Sequence, residues 1–277
     1  MSRPPGSVVG TSASIEFLFA ELPLVDRVAA AAQAGFQGVE FWDWRTKEMD
    51  RLADAAAHAG VVITGFFGNR RYSLIDRTQH APNLDGLAES LACARRVGCP
   101  AVHAFVQEIR QDGTVVPPTR PLAEAEAFEN AVEGLRQAAA LAQAHGVVLL
   151  LEAINPVSVP GYFLDTAEKC LRLVEAVDHP SLAMTYDYFH QQQAGGNLMA
   201  TLERCHHRVA AVHVADVPGR HEPGTGEINF VNLNRHLHQL GFDGTLVFEV
   251  KPRGTSGEAV RAIHAIFADR FPRREGG

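Results

Sequence analysis

Four short apolar runs in the second half of the chain each end in a residue that can bind a metal or move a proton. Leu149-Leu150-Leu151 runs into Glu152, Met184-Thr185-Tyr186 into Asp187, Ala211-Val212 into His213, and Val247-Phe248 into Glu249. A polar group placed directly after a buried run is costly unless it is used. If four neighbouring strands carry these residues, three carboxylates and one imidazole meet at one spot. Three negative charges share a buried site only when a cation neutralises them. An oxygen and nitrogen donor set without thiolate suits one divalent metal ion, Mg2+, Mn2+, Co2+ or Zn2+. Each residue alone has an ordinary structural reading. Glu152 could cap the next segment, Asp187 could N-cap a helix, and His213 could be a hydrogen-bonded core histidine. Four such residues in succession make a shared site the better account.

Further candidates surround this set as substrate-binding groups. His190 follows Asp187 by three residues, so in a helical turn it shares a face with it and can reach a substrate oxygen. The polar, glycine-rich stretch from Pro218 to Glu227 offers Arg220, whose fork fits a substrate carboxylate. Glu40 and His103 end or nearly end two earlier strands and are expected to line the pocket. Trp42 and Trp44 are expected to pack or wall it rather than do chemistry.

What positions these residues is a repeated unit. An alanine-rich helical stretch ends in glycine and an apolar run follows at once: Gly35 then residues 36–41, Gly60 then 61–66, Gly98 then 100–105, Gly146 then 147–152. Glycine just past a helix end tolerates the left-handed cap. Further strands are predicted at 182–186, 209–214 and 246–250, with a first one at 8–14. Short apolar strands without clean alternation, separated by helices, fit a parallel sheet buried on both faces. Eight of them fit a closed (β/α)8 TIM barrel, an α/β fold, as a single domain over residues 1–277. An open doubly wound sheet would carry a glycine-rich phosphate fingerprint after its first strand, and Gly10-Thr11-Ser12-Ala13 is not one. The longest loops are expected at 68–83, 110–121 and 217–229, on the C-terminal face where barrel active sites lie.

Composition agrees with an enzyme acting on a small molecule. Hydrophobic residues make up 46% and charged residues 21% of the 277, enough for a sizeable core. A formal charge of −7 argues against nucleic acid or an anionic membrane surface as a partner. The four cysteines form no C-x-x-C pair and read as reduced thiols. The start, Met1 to Gly6, has no apolar signal region, and no apolar run reaches the ~20 residues of a membrane span. A cytoplasmic protein with a small-molecule substrate is expected, and homo-oligomers are left open.

The motifs resemble those of the hydroxypyruvate isomerase family, within the wider xylose-isomerase-like barrels that include the ketose 3-epimerases. The likeness is carried by Leu151-Glu152-Ala153, Tyr186-Asp187-Tyr188-Phe189-His190 and Val212-His213-Val214-Ala215-Asp216. It continues through the long stretch from Val217 to Asn229 and through Phe248-Glu249-Val250-Lys251-Pro252-Arg253-Gly254. The resemblance implies that Glu152, Asp187, His213 and Glu249 hold the metal, with Glu152 and Glu249 also as the proton-transfer pair. It implies isomerisation of a small hydroxy-carbonyl acid, hydroxypyruvate or a related 2-oxo-tetronate, through an enediolate. His213 is the epimerase-like choice where some family members have glutamine. The segment after strand 3, Phe66 to Leu74, departs from the family's usual substrate loop. The alternatives are a ketose 3-epimerase and a non-catalytic sugar-binding barrel. A three-metal DNA-repair nuclease would need extra histidines that Gly65-Phe66-Phe67 does not supply.

Overall fold

A computed structural model of the chain describes residues 10–272. The amino-terminal stretch read above, and residues 8 and 9 of the first predicted strand, lie outside the described residues. Among those described, eight strands follow one another: β1 (Gly10–Ser14), β2 (Gly38–Asp43), β3 (Val62–Phe67), β4 (Ala101–Ala104), β5 (Val148–Glu152), β6 (Leu182–Asp187), β7 (Val209–Val214) and β8 (Thr245–Phe248). They pair in parallel in sequence order, and β8 returns to β1 to close the barrel. Around them run α1 (Leu24–Gln33), α2 (Met49–Ala59), α3 (His80–Arg96), α4 (Glu124–His145) and α5 (Ala167–Val177). They are followed by α6 (Tyr188–Ala194), α7 (Leu198–Cys205), α8 (Phe230–Gln239) and α9 (Ser256–Phe267). The expected (β/α)8 barrel is the fold.

The repeated unit works as its residues dictate. Gly60 and Gly146 cap α2 and α4 with φ 69° and ψ 27°, and each amide bonds back into the last turn. Gly35 and Gly98 also take positive φ, 91° and 69°. The chain then re-enters the sheet within a residue or two, because the left-handed cap reverses its direction.

Side chains alternate along each strand, and this alternation builds the site. Leu149, Leu151, Val212 and Phe248 belong to the large cluster shared with helix residues such as Leu135, Leu173, Leu237 and Phe267. Ala101, Val148, Leu150, Ala183 and Ala211 form a separate small cluster inside the barrel. Two residues beyond this inner layer come Glu152 on β5 and His213 on β7, each the next side chain on the same face. Asp187 ends β6 opposite His213 in the ladder. Parity alone therefore carries these residues to the barrel mouth.

Most strand boundaries shift by one or two residues from the sequence reading, and two of these shifts bear on the site. β2 spans Gly38–Asp43 instead of residues 36–41, and its later end leaves Glu40 in mid-strand beside a register shift. β8 ends at Phe248, so Glu249 occupies the first position after the strand. Long connections follow β3, β4 and β7 as expected, and another, residues 153–166, follows β5. The loops after β3 and β4 are tied together by Asp76. Its carboxylate accepts from the backbone and hydroxyl of Thr119 at 2.7 and 2.6 Å, and from those of Thr78 at 3.1 and 2.7 Å. The four cysteines are free and buried. No helix among the described residues is long and apolar enough to cross a membrane.

Candidate functional site

Glu152, Asp187, His213 and Glu249 do converge. Nδ1 of His213 lies 3.1 Å from Glu249 Oε2, 3.6 Å from Glu152 Oε1 and 3.9 Å from Asp187 Oδ2. Donor atoms of Asp187, His213 and Glu249 fit within 4.8 Å of one another, as do those of Glu152, Asp187 and His190. Asp187 combines its site position with an ordinary structural role. Oδ1 caps α6, accepting from Phe189 N–H and His190 N–H at 2.7 and 3.2 Å, while Oδ2 faces the cluster.

The electrostatics show a shortage of positive charge. Burial pushes the Glu152 carboxyl well above its usual range, and the neighbouring Asp187 and Glu249 add to the effect against His213 and Arg220. Burial would also raise Asp187 and Glu249, but Arg220, with the nearby histidines, outweighs it and holds both below the ordinary range. Burial opposes the charged form of His213, yet Glu40 and Glu152 raise it well above a free imidazole. Oε1 of Glu152 is buried and has no hydrogen-bond partner. A carboxylate oxygen left unpaired among two further carboxylates is what a divalent ion would satisfy, so the residues present fit one.

The surrounding candidates divide by depth. Arg220 does not reach outward. Its Nη2 donates to Asp187 Oδ2 at 2.8 Å and also to Glu249 Oε2, and the guanidinium lies over the Phe189 ring, 4.7 Å from its centroid. Its backbone is held at φ 56°, and its carbonyl accepts from Lys251 N–H at 2.7 Å. The loop carrying it is organised by buried Asp216, which accepts from the amides of Val217, Gly224, Gly226 and Ile228 at 2.9–3.1 Å. His190 stands beside Asp187, Nε2 to Oδ2 3.8 Å, and burial lowers it to about 4, so it is neutral. Glu40 and His103 are as buried as Asp187, His213 and Glu249, 4% and 1% exposed, and Glu40 Oε1 lies 3.2 Å from the other ring nitrogen of His213, Nε2.

Two contacts were missed in the sequence. Trp42, expected to pack or wall the pocket, stacks on Phe67 at 5.5 Å, and its Nε1–H also donates to Glu249 Oε1 at 2.7 Å. Asn155, in the unforeseen loop after β5, donates to Nδ1 of His190. An N-P dipeptide was the only local signal, and it marks a turn, not a contact.

Comparison with known proteins gives the chain its family. Residues 28–267 match the family described as the xylose isomerase-like TIM barrel. The chain is 32% identical over 276 residues to a putative hydroxypyruvate isomerase of Mus musculus, covering 96% of this chain and 98% of that one. It is 31% identical over 254 residues to a 2-oxo-tetronate isomerase of Haemophilus influenzae, covering 88% and 93%. Among solved structures, an AP endonuclease, family 2, from Brucella melitensis superposes with a TM-score of 0.81 at 27% identity, covering 96% of this chain and 100% of the other. A D-psicose 3-epimerase from Clostridium cellulolyticum shares the fold at 20% identity, with a TM-score of 0.74 over 94% of this chain and 91% of its own. The chain belongs to the xylose isomerase-like TIM barrels. Within them it is an isomerase of the hydroxypyruvate isomerase family.

Proposed function

We propose that the protein is a metal-dependent isomerase that converts hydroxypyruvate to tartronate semialdehyde, or acts on the related 2-oxo-tetronates, through an enediolate. The observation that carries this reading is that Glu152 and Glu249, from strands on two sides of β6 and β7, reach the same nitrogen of His213 with Asp187 beside them. Two carboxylates at one spot can remove a proton from one carbon and return one to its neighbour.

Glu152, Asp187, His213 and Glu249 would hold the cation. Its chemistry there is Lewis-acid polarisation of the substrate oxygens, which acidifies the adjacent C–H. The chain's residues do the rest. One of Glu152 and Glu249 takes the proton from C3 of hydroxypyruvate, and a proton is returned to C2 by the pair. The hydroxyl proton passes from O3 to O2, steadied by the Nε2–H of His190. A cation neutralising Asp187 and Glu249 would release the Arg220 fork, now engaged with both, for the substrate carboxylate. The aromatic wall of Trp42 and Phe67 limits the water that reaches the reacting carbons.

Glu249→Gln tests the reading, with tartronate semialdehyde formation followed in Mn2+. A loss of about 10²–10⁴ in kcat is expected for a lost proton-transfer group. Near-normal kcat would overturn the assignment. A panel of hydroxypyruvate, oxo-tetronates, fructose and tagatose distinguishes acid isomerisation from epimerisation of neutral ketoses, to which His213 also lends itself.

A further inference from the structure

Carboxylates meet both nitrogens of His213. Nδ1 faces Glu249, Glu152 and Asp187, whereas Nε2 faces β2 and lies 3.2 Å from Oε1 of Glu40. The other oxygen of Glu40 lies 3.2 Å from Nε2 of His103. All three side chains are 5% exposed or less. A buried carboxylate normally sits against arginine or lysine, but the ion-pair contacts of Glu40 are to these two histidines. The backbone is cut away to admit it. A Cβ on Gly65 would lie 2.8 Å from Glu40 Oε2 and 3.5 Å from His103 Nε2, so any side chain there would displace the carboxylate.

An imidazole that ligates through one nitrogen carries its proton on the other, and that proton needs an acceptor. Nδ1 is the nitrogen that joins Asp187 and Glu249 in the cluster. In this structure Nδ1 is hydrogen-bonded to Glu249 Oε2 at 3.1 Å, and when Nδ1 ligates instead the ring proton falls to Nε2, which has no aligned hydrogen-bond partner. The acceptor beside it is Glu40, and a small turn of the carboxylate brings the 3.2 Å approach into line. His103, whose two nitrogens are likewise without an aligned partner, can donate to the second oxygen and hold Glu40 in place.

We propose that Glu40 is a positioning residue: it accepts the Nε2 proton of His213 and so presents Nδ1 as the metal-binding nitrogen, with His103 fixing Glu40 from behind. This rests on the metal-holding reading above and assigns Glu40 and His103 a role other than substrate contact.

The test uses the full chain without substrate. Mn2+ binding is measured by calorimetry for the wild type, Glu40→Ala and Glu40→Gln, with folding checked by thermal unfolding. E40A is expected to bind about 10–100-fold more weakly, while E40Q, which keeps an acceptor oxygen, should stay within about fivefold of the wild type. In the Zn2+-loaded wild type, ¹⁵N-resolved spectra should show the His213 ring proton on Nε2, the signal being assigned by its loss in His213→Gln. A ring proton on Nδ1 would overturn the proposal even if E40A does not fold. So would unchanged affinity in E40A, equal losses in E40A and E40Q, or a second bound ion that disappears with His103→Ala. If the wild type binds no divalent ion, the metal-holding reading fails and this one with it. If the wild type binds Mn2+ and E40A binds it as well, only the role of Glu40 fails.

Discussion

Two amides of Asn155 converge on one ring nitrogen of His190. The backbone N–H lies 3.3 Å from Nδ1 and the side-chain amide 2.7 Å. A backbone N–H can only donate, so Nδ1 is an acceptor and the neutral ring carries its proton on Nε2. There Asp187 Oδ2 at 3.8 Å is the acceptor, and Arg220 Nη1, itself only a donor, stands 3.4 Å away without being its hydrogen-bond partner in this tautomer. His190 is thereby a neutral donor aimed at the site. Asn155→Asp keeps Oδ1, which accepts from the amides of Val157 and Ser158, but replaces a donor to His190 with an acceptor. The expected result in steady-state kinetics on hydroxypyruvate is a fall in kcat of about tenfold or more. Unchanged kcat would show that the state of His190 does not matter.

Trp42 bears on Glu249 in the same way. Its Nε1–H donates to Oε1 at 2.7 Å while its ring rests on Phe67 and the edge of Phe17. Trp42→Phe preserves an aromatic ring there and removes the donor. A loss of roughly 1–1.5 kcal/mol of positioning corresponds to about a tenfold drop in kcat. Thermal unfolding should move little by comparison. A large fall in Tm with kcat intact would make Trp42 a packing residue after all.

These two contacts also mark where sequence reading stops. The barrel was legible because each unit repeats one local device, a glycine cap followed by an apolar strand. The cluster was legible because period-2 alternation sends a strand-end residue inward whatever the neighbours are. Trp42 and Glu249 are 207 residues apart, and Asn155 and His190 are 35 apart, so their hydrogen bonds depend on how the barrel closes and how the loop after β5 returns over its mouth. No local pattern encodes that. Glu40 stands near a strand end in the sequence reading because that reading closes β2 at Phe41, whereas the strand runs on through Trp42 to Asp43. In the structure the ladder begins only at Gly38, which pairs with Ser12 and Val62.

Asp76 makes stability depend on pH. Burial would raise its carboxyl, but four bonds from Thr78 and Thr119 outweigh this and hold it well below the ordinary 3.8. A group whose folded value is depressed contributes stability above its unfolded value, near pH 4, and loses it as pH falls toward the folded value. At pH 7, Asp76→Asn should therefore cost about 1–3 kcal/mol, because donors that met a carboxylate now meet an amide. Denaturant unfolding at several pH values should show the wild-type advantage constant from pH 7 to about 5 and shrinking below pH 4. A gap that stays constant down to pH 3 would place the effect in packing instead of charge.

Arg220 is the last and sharpest case, because one guanidinium nitrogen serves both Asp187 and Glu249. It is the counter-charge for two buried carboxylates that a divalent ion would also neutralise. Arg220→Ala leaves those charges uncompensated, a change worth about 3–5 kcal/mol for a buried pair. In chelated protein this should appear as a fall in Tm of roughly 5–15 °C. In saturating Mn2+ the fall should be much smaller, since the ion supplies the missing charge. An equal fall in both conditions would mean that the side chain supports its loop through the Phe189 contact and not through charge. In the Mn2+ form the same variant should raise KM for hydroxypyruvate and oxo-tetronates more than for neutral ketoses, because only the acids lose a carboxylate partner.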